Sequence, residues 1–195
     1  MANEAEKTLH EMQQVLTIDA NGVYETEEDK AELLWHELQN AYRSKRILSG
    51  VLSGVEETSS GSIAVVYYKG QRMIIPVSEM ELNLSEQNGY GEMKGRQVRI
   101  LNNMVGCEID FILIALDDTA RSVVASRRLA MLAKRRKFYF PNENGSVQIT
   151  EGRVVQARVI AVAEKVVRLE VFGAECAVPA RDIAWEWIGD AREKY

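Results

Sequence analysis

The chain has 195 residues, of which 46% are hydrophobic and 27% charged, a composition typical of a globular protein with its own core. No apolar run approaches the roughly 20 residues that cross a bilayer, and the N-terminus lacks a secretory h-region, so we expect a cytoplasmic location without a membrane partner. The net charge of −5 disfavours nucleic acid on average, but residues 121–140 hold seven basic residues and no acidic one. Such a cluster attracts phosphate whatever the overall charge. A solvated helix face explains the same run equally well.

The N-terminal part of the chain predicts an acidic segment followed by a helix. Residues 1–25 are acidic and only weakly periodic, and we expect partial order there. Thr26 and Asp29 form the pattern of a capping box, which predicts the start of a helix over residues 26–46. Apolar residues at helical spacing predict that this helix docks on the module that follows. They are Leu34, Trp35, Leu38, Ala41 and Tyr42.

The next part of the chain predicts a small barrel over residues 47–128. Alternating and β-branched patterns indicate five strands. They cover residues 47–57, 62–68, 71–77, 107–116 and 121–126. The third ends near Pro76, because proline has no amide hydrogen to donate to a ladder. A long connection over residues 81–105 is expected to contain a helix. Five strands in this order are typical of a closed Greek-key barrel.

A repeated pattern indicates a second copy of this module. IIPVSEM at residues 74–80 and AVPARDI at residues 177–183 place apolar residues before a proline and an acidic residue after it. Two predicted strands precede each segment in the same order. Internal repetition of this kind predicts tandem modules. We expect a basic helix or linker over residues 129–148 and the second copy over residues 149–195.

These segments resemble the RNA-binding repeats of the ribosomal protein S-one family. The similarity lies in WHELQNAY at residues 35–42, in IIPVSEM, and in VGCEIDFILIALDDTARSVVASRR at residues 105–128. EGRVVQARV at residues 151–159 is similar to the opening of another repeat. The resemblance implies a mainly β fold of tandem five-stranded OB-type barrels with an N-terminal helix, similar to the family's early repeats. It also implies non-catalytic binding of single-stranded RNA in translation.

The second copy departs from the family pattern because only three of its five strands lie before residue 195. We therefore expect an incomplete second barrel, which a partner or strand exchange between subunits could complete. The oligomeric state stays open. The aromatic positions of the family fall on Ser62 and Val65 in the first copy and on Lys165 and Arg168 in the second. Without a full stacking platform, we expect RNA binding to be mainly electrostatic.

The candidate RNA-binding residues combine cations with two tyrosines. They are Tyr67, Arg72, Tyr90, Arg96, Arg99, Arg127, Arg128, Lys134, Arg135, Arg136, Lys137, Lys165 and Arg168. The aromatic residues 138–140 follow the basic stretch at once, as on base-stacking surfaces. An equally good alternative is that Tyr67 and residues 138–140 pack between the modules. The rival function is a protein-docking module with little RNA affinity, whose partner is a ribosomal protein and whose contact is the acidic N-terminal region.

Nothing in the sequence indicates an enzyme. The two histidines, His10 and His36, lie far from any cysteine, and nucleophile-elbow, metalloprotease and P-loop motifs are absent. We assign no catalytic residue, metal or cofactor. Cys107 and Cys176 lie in apolar strand patterns and are expected to be core thiols.

Overall fold

The computed structural model describes residues 26–59, 61–82, 90–186 and 189–194, and of residues 90–94 the backbone. The acidic segment 1–25 lies outside the described residues, and so do the side chain of Tyr90 and His10. Contacts divide the chain into two units, Met1–Leu34 and Trp35–Tyr195.

Helix α1 (Glu27–Ser44) begins as the sequence predicts. The Asp29 amide donates to the Thr26 hydroxyl over 3.1 Å, and the Thr26 amide donates to the Asp29 carboxylate over 2.9 Å. This reciprocal pair satisfies two amides that a helix N-terminus leaves open. The predicted capping box is confirmed.

Five strands close into a barrel of order β1-β2-β3-β5-β4. They are β1 (Leu48–Thr58), β2 (Gly61–Tyr68), β3 (Gln71–Pro76), β4 (Glu108–Asp117) and β5 (Ser122–Ser126). Alternate residues point inward and are buried, among them Leu52, Val66, Ile75 and Phe111. A parallel contact between β3 and β5 closes the ring at Ile74 and Val124.

Gly50 is required by the packing of the barrel. A Cβ at this position would lie 2.7 Å from the Tyr67 carbonyl oxygen, 2.9 Å from Val66 Cγ1 and 3.1 Å from Phe111 Cε1. Real Cβ atoms do not approach the first two atoms so closely. The glycine therefore lets β1 and β2 approach each other over the Phe111 ring.

Two further helices flank the last strands of the barrel. Helix α2 (Tyr90–Asn103) lies in the long connection, and its end is tied to β1 by the Gly106 amide, which donates to the Leu52 carbonyl over 2.7 Å. Helix α3 (Arg127–Tyr139) follows β5 without a loop. Ser126 caps it by accepting the Leu129 amide over 3.1 Å.

The second repeat forms a three-stranded sheet of order β6-β7-β8. Its strands are β6 (Arg158–Ala163), β7 (Val166–Val171) and β8 (Ala174–Pro179). Pro76 and Pro179 occupy equivalent places, because each ends a third strand and starts a short 3-10 turn. The first and second strands of each copy also share an irregular register. The mainly β architecture is confirmed, with one closed five-stranded barrel; the described part of the second copy is a sheet and not a closed barrel.

Two other observations concern the described part of the chain. Cys107 is half-buried but Cys176 is exposed on β8, so the expectation of a core thiol is wrong for Cys176. The strand pattern around Cys176 is apolar, but Cys176 and Ala177, in the middle of β8, are both exposed. No helix within the described ranges is long and apolar enough to span a membrane.

Candidate nucleic-acid interface

The outer surface of β1, β2 and β3 carries an exposed aromatic residue beside an exposed cation. Tyr67 lies directly opposite Arg72 on β3 and opposite Val51 on β1. Tyr67 is 44% exposed and Val51 47% exposed. The Arg72 guanidinium is 2.7 Å from the Glu56 carboxylate, and the Arg72 side chain is 44% exposed. OB-type barrels bind oligonucleotides on this surface of strands two and three, and we call Val51, Tyr67 and Arg72 the barrel face.

Two more of the predicted cations are exposed on α2. Arg96 and Arg99 are three positions apart, so they lie on one side of the helix. The helix contacts both β1 and β6. Tyr90 is its first residue. Arg96 and Arg99 thus belong to an element that borders the strand carrying Val51.

The basic stretch on α3 is split between solvent and the second sheet. Arg128, Arg136 and Lys137 are exposed, with Arg128 paired to Glu79 over 2.8 Å. The other three cations of α3 turn toward β7 and β8. They are Arg127, Lys134 and Arg135. The sequence cannot separate these two sets, because both have the same residue types at neighbouring positions.

Arg127 is the most deeply buried charge among the described residues. Its side chain is 0% exposed, and Nη1 donates to the Met80 carbonyl over 2.9 Å. Nη2 lies 2.6 Å from Glu175 and 3.8 Å from Glu170. The Glu175 contact is an ion contact rather than an aligned hydrogen bond, since Nη2 and the facing Glu175 oxygen have no hydrogen-bond partner of good geometry. The guanidinium is therefore not available to RNA in this structure.

Lys134 and Arg158 complete this buried ion network around Asp110. Lys134 lies 2.5 Å from the Asp110 carboxylate and also contacts Glu170. Arg158, on β6, donates to Asp110 over 2.9 Å. We call Arg127, Lys134, Arg158, Arg168, Asp110, Glu170 and Glu175 the ion network. It joins β4 and α3 to all three strands of the second sheet.

Aromatic and backbone contacts lie beside the ion network. Phe138 and Phe172 have ring centres 4.3 Å apart, and the Tyr139 hydroxyl donates to the Val171 carbonyl over 2.8 Å. Arg135 donates to the Gly173 carbonyl over 2.7 Å. For Phe138 and Tyr139 the structure matches the packing alternative, whereas Tyr67 is exposed. Phe140 is exposed as well.

Comparison with known proteins finds a distant sequence similarity and no matching protein family. No protein-family model matches this chain. Its similarity is to a ribosomal protein. Small ribosomal subunit protein bS1 of Coxiella burnetii (strain RSA 493 / Nine Mile phase I) is 24% identical to it over 175 residues, which cover 88% of this chain. The chain spans 28% of the length of that protein. At this identity the comparison supports at most an S-one-like relationship, in agreement with the resemblance in the sequence.

The placement of Arg127, Lys134, Arg135 and Arg168 differs from the predicted RNA surface. Each faces a carboxylate or a backbone carbonyl, and Arg168 is 3.2 Å from Glu175. One signal in the sequence could have found this arrangement. Glu170 and Glu175 are directly opposite each other across the β7–β8 hairpin. Two like charges at such a pair are destabilising unless a cation lies between them.

The remaining candidate of the second copy is Lys165. It lies in the turn between β6 and β7, and its side chain is 83% exposed. It is 3.8 Å from its neighbour Glu164, so most of its charge faces solvent. Lys165 is thus accessible but distant in sequence from the barrel face.

Asp110 should make the ion network sensitive to acid. Burial alone would raise the Asp110 pKa, but hydrogen bonds from Lys134, Ser49 and Arg158 outweigh it and hold the pKa below its usual range. A group with a lowered folded-state pKa stabilises the fold above its ordinary pKa of about 3.9, and this contribution is lost as the pH falls through the folded-state value. Asp110→Asn is expected to cost about 2 kcal/mol at pH 7.

The measurement is the free energy of urea unfolding of both proteins at pH 7 and near pH 3. The difference between wild type and Asp110→Asn should shrink as the pH falls below about 3.9, because the unfolded wild-type chain then binds a proton at Asp110 that the folded ion network disfavours. Glu108→Gln is the control. Glu108 is on the same strand but is exposed, and its distance of 3.6 Å from Arg158 is longer than the 2.9 Å between Arg158 and Asp110. A difference that persists unchanged in acid would contradict the assignment.

Proposed function

We propose that this chain is a non-catalytic protein that binds single-stranded RNA in translation, with messenger RNA as its target. The observation that carries the proposal is the exposed pair of Tyr67 and Arg72 at opposite positions on β2 and β3. The similarity to a small ribosomal subunit protein supports the link to translation. Ribosomal proteins are proposed as further partners, and the cytoplasm as the location.

The proposed mechanism combines one stacking surface with several phosphate contacts. A base stacks on the Tyr67 ring, and Arg72 contacts the adjoining phosphate. The exposed cations of α2 and α3 extend the positive surface. They are Arg96, Arg99, Arg128, Arg136 and Lys137. A single tyrosine accepts any base, because every base has a π-face. The proposal therefore includes no strong base preference.

Tyr67→Ala tests the barrel face directly. Loss of one stacked base is expected to weaken binding of a fluorescein-labelled oligouridine of ~15 nucleotides by about 1–3 kcal/mol. Tyr67→Phe is the matched control, since it keeps the ring and should retain most of the affinity. Fluorescence anisotropy at several salt concentrations measures both. Tyr67 is largely outside the core, so the urea midpoint should stay near that of wild type.

The outcome also separates the RNA and docking functions. Binding that weakens steeply with added salt, and that depends on the ring at residue 67, supports the proposal. If wild-type protein does not bind the oligouridine even at the lowest salt, the RNA function is wrong for this chain. Retention of a ribosomal protein after nuclease treatment would then favour the docking module.

A further inference from the structure

We propose a second RNA contact at the end of the barrel covered by the last turns of α1; it rests on the function proposed above. Three segments distant in the sequence bring cations together there. Arg43, Lys45 and Arg46 end the first segment, Lys69 lies in the β2–β3 turn, and Arg121 lies in the β4–β5 turn. We call these five residues the end cluster. All of them are exposed.

Glu37 holds two of the three segments in place. Its carboxylate accepts from Lys69 over 2.7 Å, from the Tyr68 hydroxyl over 2.8 Å and from Arg46 over 3.1 Å. Hydrogen bonds from Lys69 and Tyr68 lower the pKa of Glu37 despite partial burial. The carboxylate is therefore charged at neutral pH, and it fixes the end of α1 against the β2–β3 turn.

Asp118 fixes the third segment in the same way. It accepts from the Trp35 indole over 2.7 Å and from the Gln39 amide over 2.8 Å. These hydrogen bonds, with Arg121 and Arg43 nearby, hold the Asp118 pKa below its usual range. The Arg121 guanidinium lies 4.9 Å from the centre of the Trp35 ring. The β4–β5 turn is thus held on the same helix.

The carboxylates position these cations but are too few to balance all of their charge. Glu37, Asp118 and Asp117 are the acidic residues on the helix end and in these two turns, against five cations. Lys45 and Arg43 take part in no ion pair among the described residues. A preorganised excess of positive charge costs little to bring to a phosphate, because the side chains are already held together. Phosphate is the ligand that this chemistry fits.

Aromatic rings beside the cations favour RNA over a small anion. The Lys45 ammonium lies 4.0 Å from the centre of the Tyr42 ring, and the Lys69 ammonium lies 5.3 Å from that of Tyr68. Both tyrosines are half-buried, so part of each ring remains accessible. Cations interleaved with rings suit a strand whose phosphates and bases are both contacted.

The end cluster is continuous with the barrel face. Tyr67, Tyr68 and Lys69 are consecutive, and a strand advances about 3.3 Å per residue, so Lys69 is only about 7 Å from Tyr67 along the chain. An RNA strand that leaves the Tyr67 ring in this direction meets Lys69 and then the end of α1. The end cluster therefore extends the same binding path.

The double variant Arg43→Gln/Lys45→Gln tests this extension. It removes two charges and breaks no ion pair of the described residues. With the labelled oligouridine of ~15 nucleotides, the affinity should fall several-fold, and the salt slope should become shallower by about 1.4, since each single-strand phosphate contact contributes roughly 0.7. Arg153→Gln/Arg181→Gln is the control, because it removes the same charge from exposed sites in the second half of the chain. Its affinity should stay close to wild type.

A second end-cluster variant, Lys69→Gln, and the barrel-face variant Tyr67→Ala distinguish the possible outcomes. Lys69→Gln, on another segment, should weaken binding in the same direction, and urea unfolding checks that each variant stays folded. If Tyr67→Ala weakens binding while the end-cluster variants match the Arg153→Gln/Arg181→Gln control, the second contact is wrong and the proposed function stands. If wild type binds no oligouridine at low salt, both are wrong.

Discussion

Replacement of Arg127 by methionine is expected to lower the free energy of unfolding by about 3–5 kcal/mol, because it leaves two buried carboxylates without their cation. All three side chains are buried: Arg127 is 0% exposed, Glu170 2% and Glu175 5%. Lys134 and Arg168 still face these glutamates, so the loss should lie toward the lower end of that range. Equilibrium unfolding in urea measures it.

Two comparisons identify the cause of this loss. Arg128→Ala removes the next cation of the same helix, which is 50% exposed and paired with Glu79, and should cost no more than about 1 kcal/mol. Arg127→Met combined with Glu170→Gln and Glu175→Gln should recover part of the stability, because the glutamines need no buried cation, although Arg168 then loses its contact with Glu175. Equal losses for Arg127→Met and Arg128→Ala would contradict the ion network.

The features that could be predicted from the sequence are those with local causes. The capping box at Thr26 and Asp29 depends on residues three positions apart, and it forms as predicted. Strand alternation and the proline that ends β3 are also local, so the five strands of the barrel are within a few residues of their predicted bounds. The repeat reinforced these predictions, because Pro76 and Pro179 begin the same kind of turn.

The features that could not be predicted depend on partners far away in the chain. A basic residue on a helix attracts phosphate or a carboxylate equally well, and Arg127 meets the carboxylate of Glu175 only after the second sheet has packed. The end cluster depends on the same kind of distant contact. The sequence places Arg43, Lys45 and Arg46 at a helix end, where they match the helix dipole, but only the fold brings Lys69 to Glu37 and Arg121 to Trp35 on that helix.

Several cations of α3 are buried in the ion network, and this changes the surface that the RNA hypothesis concerns. The basic stretch of α3 supplied the largest share of predicted phosphate contacts, but Arg127, Lys134 and Arg135 instead join the barrel to the second sheet. The exposed cations beside Tyr67 are Arg72, directly opposite it on β3, and Lys69, two residues further along the chain. Mutations in the ion network should therefore act through stability, and mutations near Tyr67 through RNA affinity.

Gly173→Ala is expected to destabilise the protein by about 2–5 kcal/mol, through backbone strain of roughly 1–2 kcal/mol and overpacking of roughly 1–3 kcal/mol. Gly173 has φ +95° in the β7–β8 turn, and its Cβ would lie 2.4 Å from the Met131 carbonyl oxygen and 3.0 Å from the Arg135 amide nitrogen. These are backbone atoms of α3 that cannot turn aside. The hairpin must therefore lift away from the helix, which also weakens the hydrogen bond from Arg135 to the Gly173 carbonyl.

Gly70→Ala separates the strain from the packing. Gly70 occupies the β2–β3 turn with φ +86°, and a Cβ there would meet no atom within 4 Å. Gly70→Ala should therefore lower the free energy of unfolding only by the strain of the left-handed backbone, about 1–2 kcal/mol. Urea unfolding should show the larger loss for Gly173→Ala, and the Phe138–Phe172 contact should open with it. Equal losses for the two variants would mean that the β7–β8 turn does not pack tightly on α3.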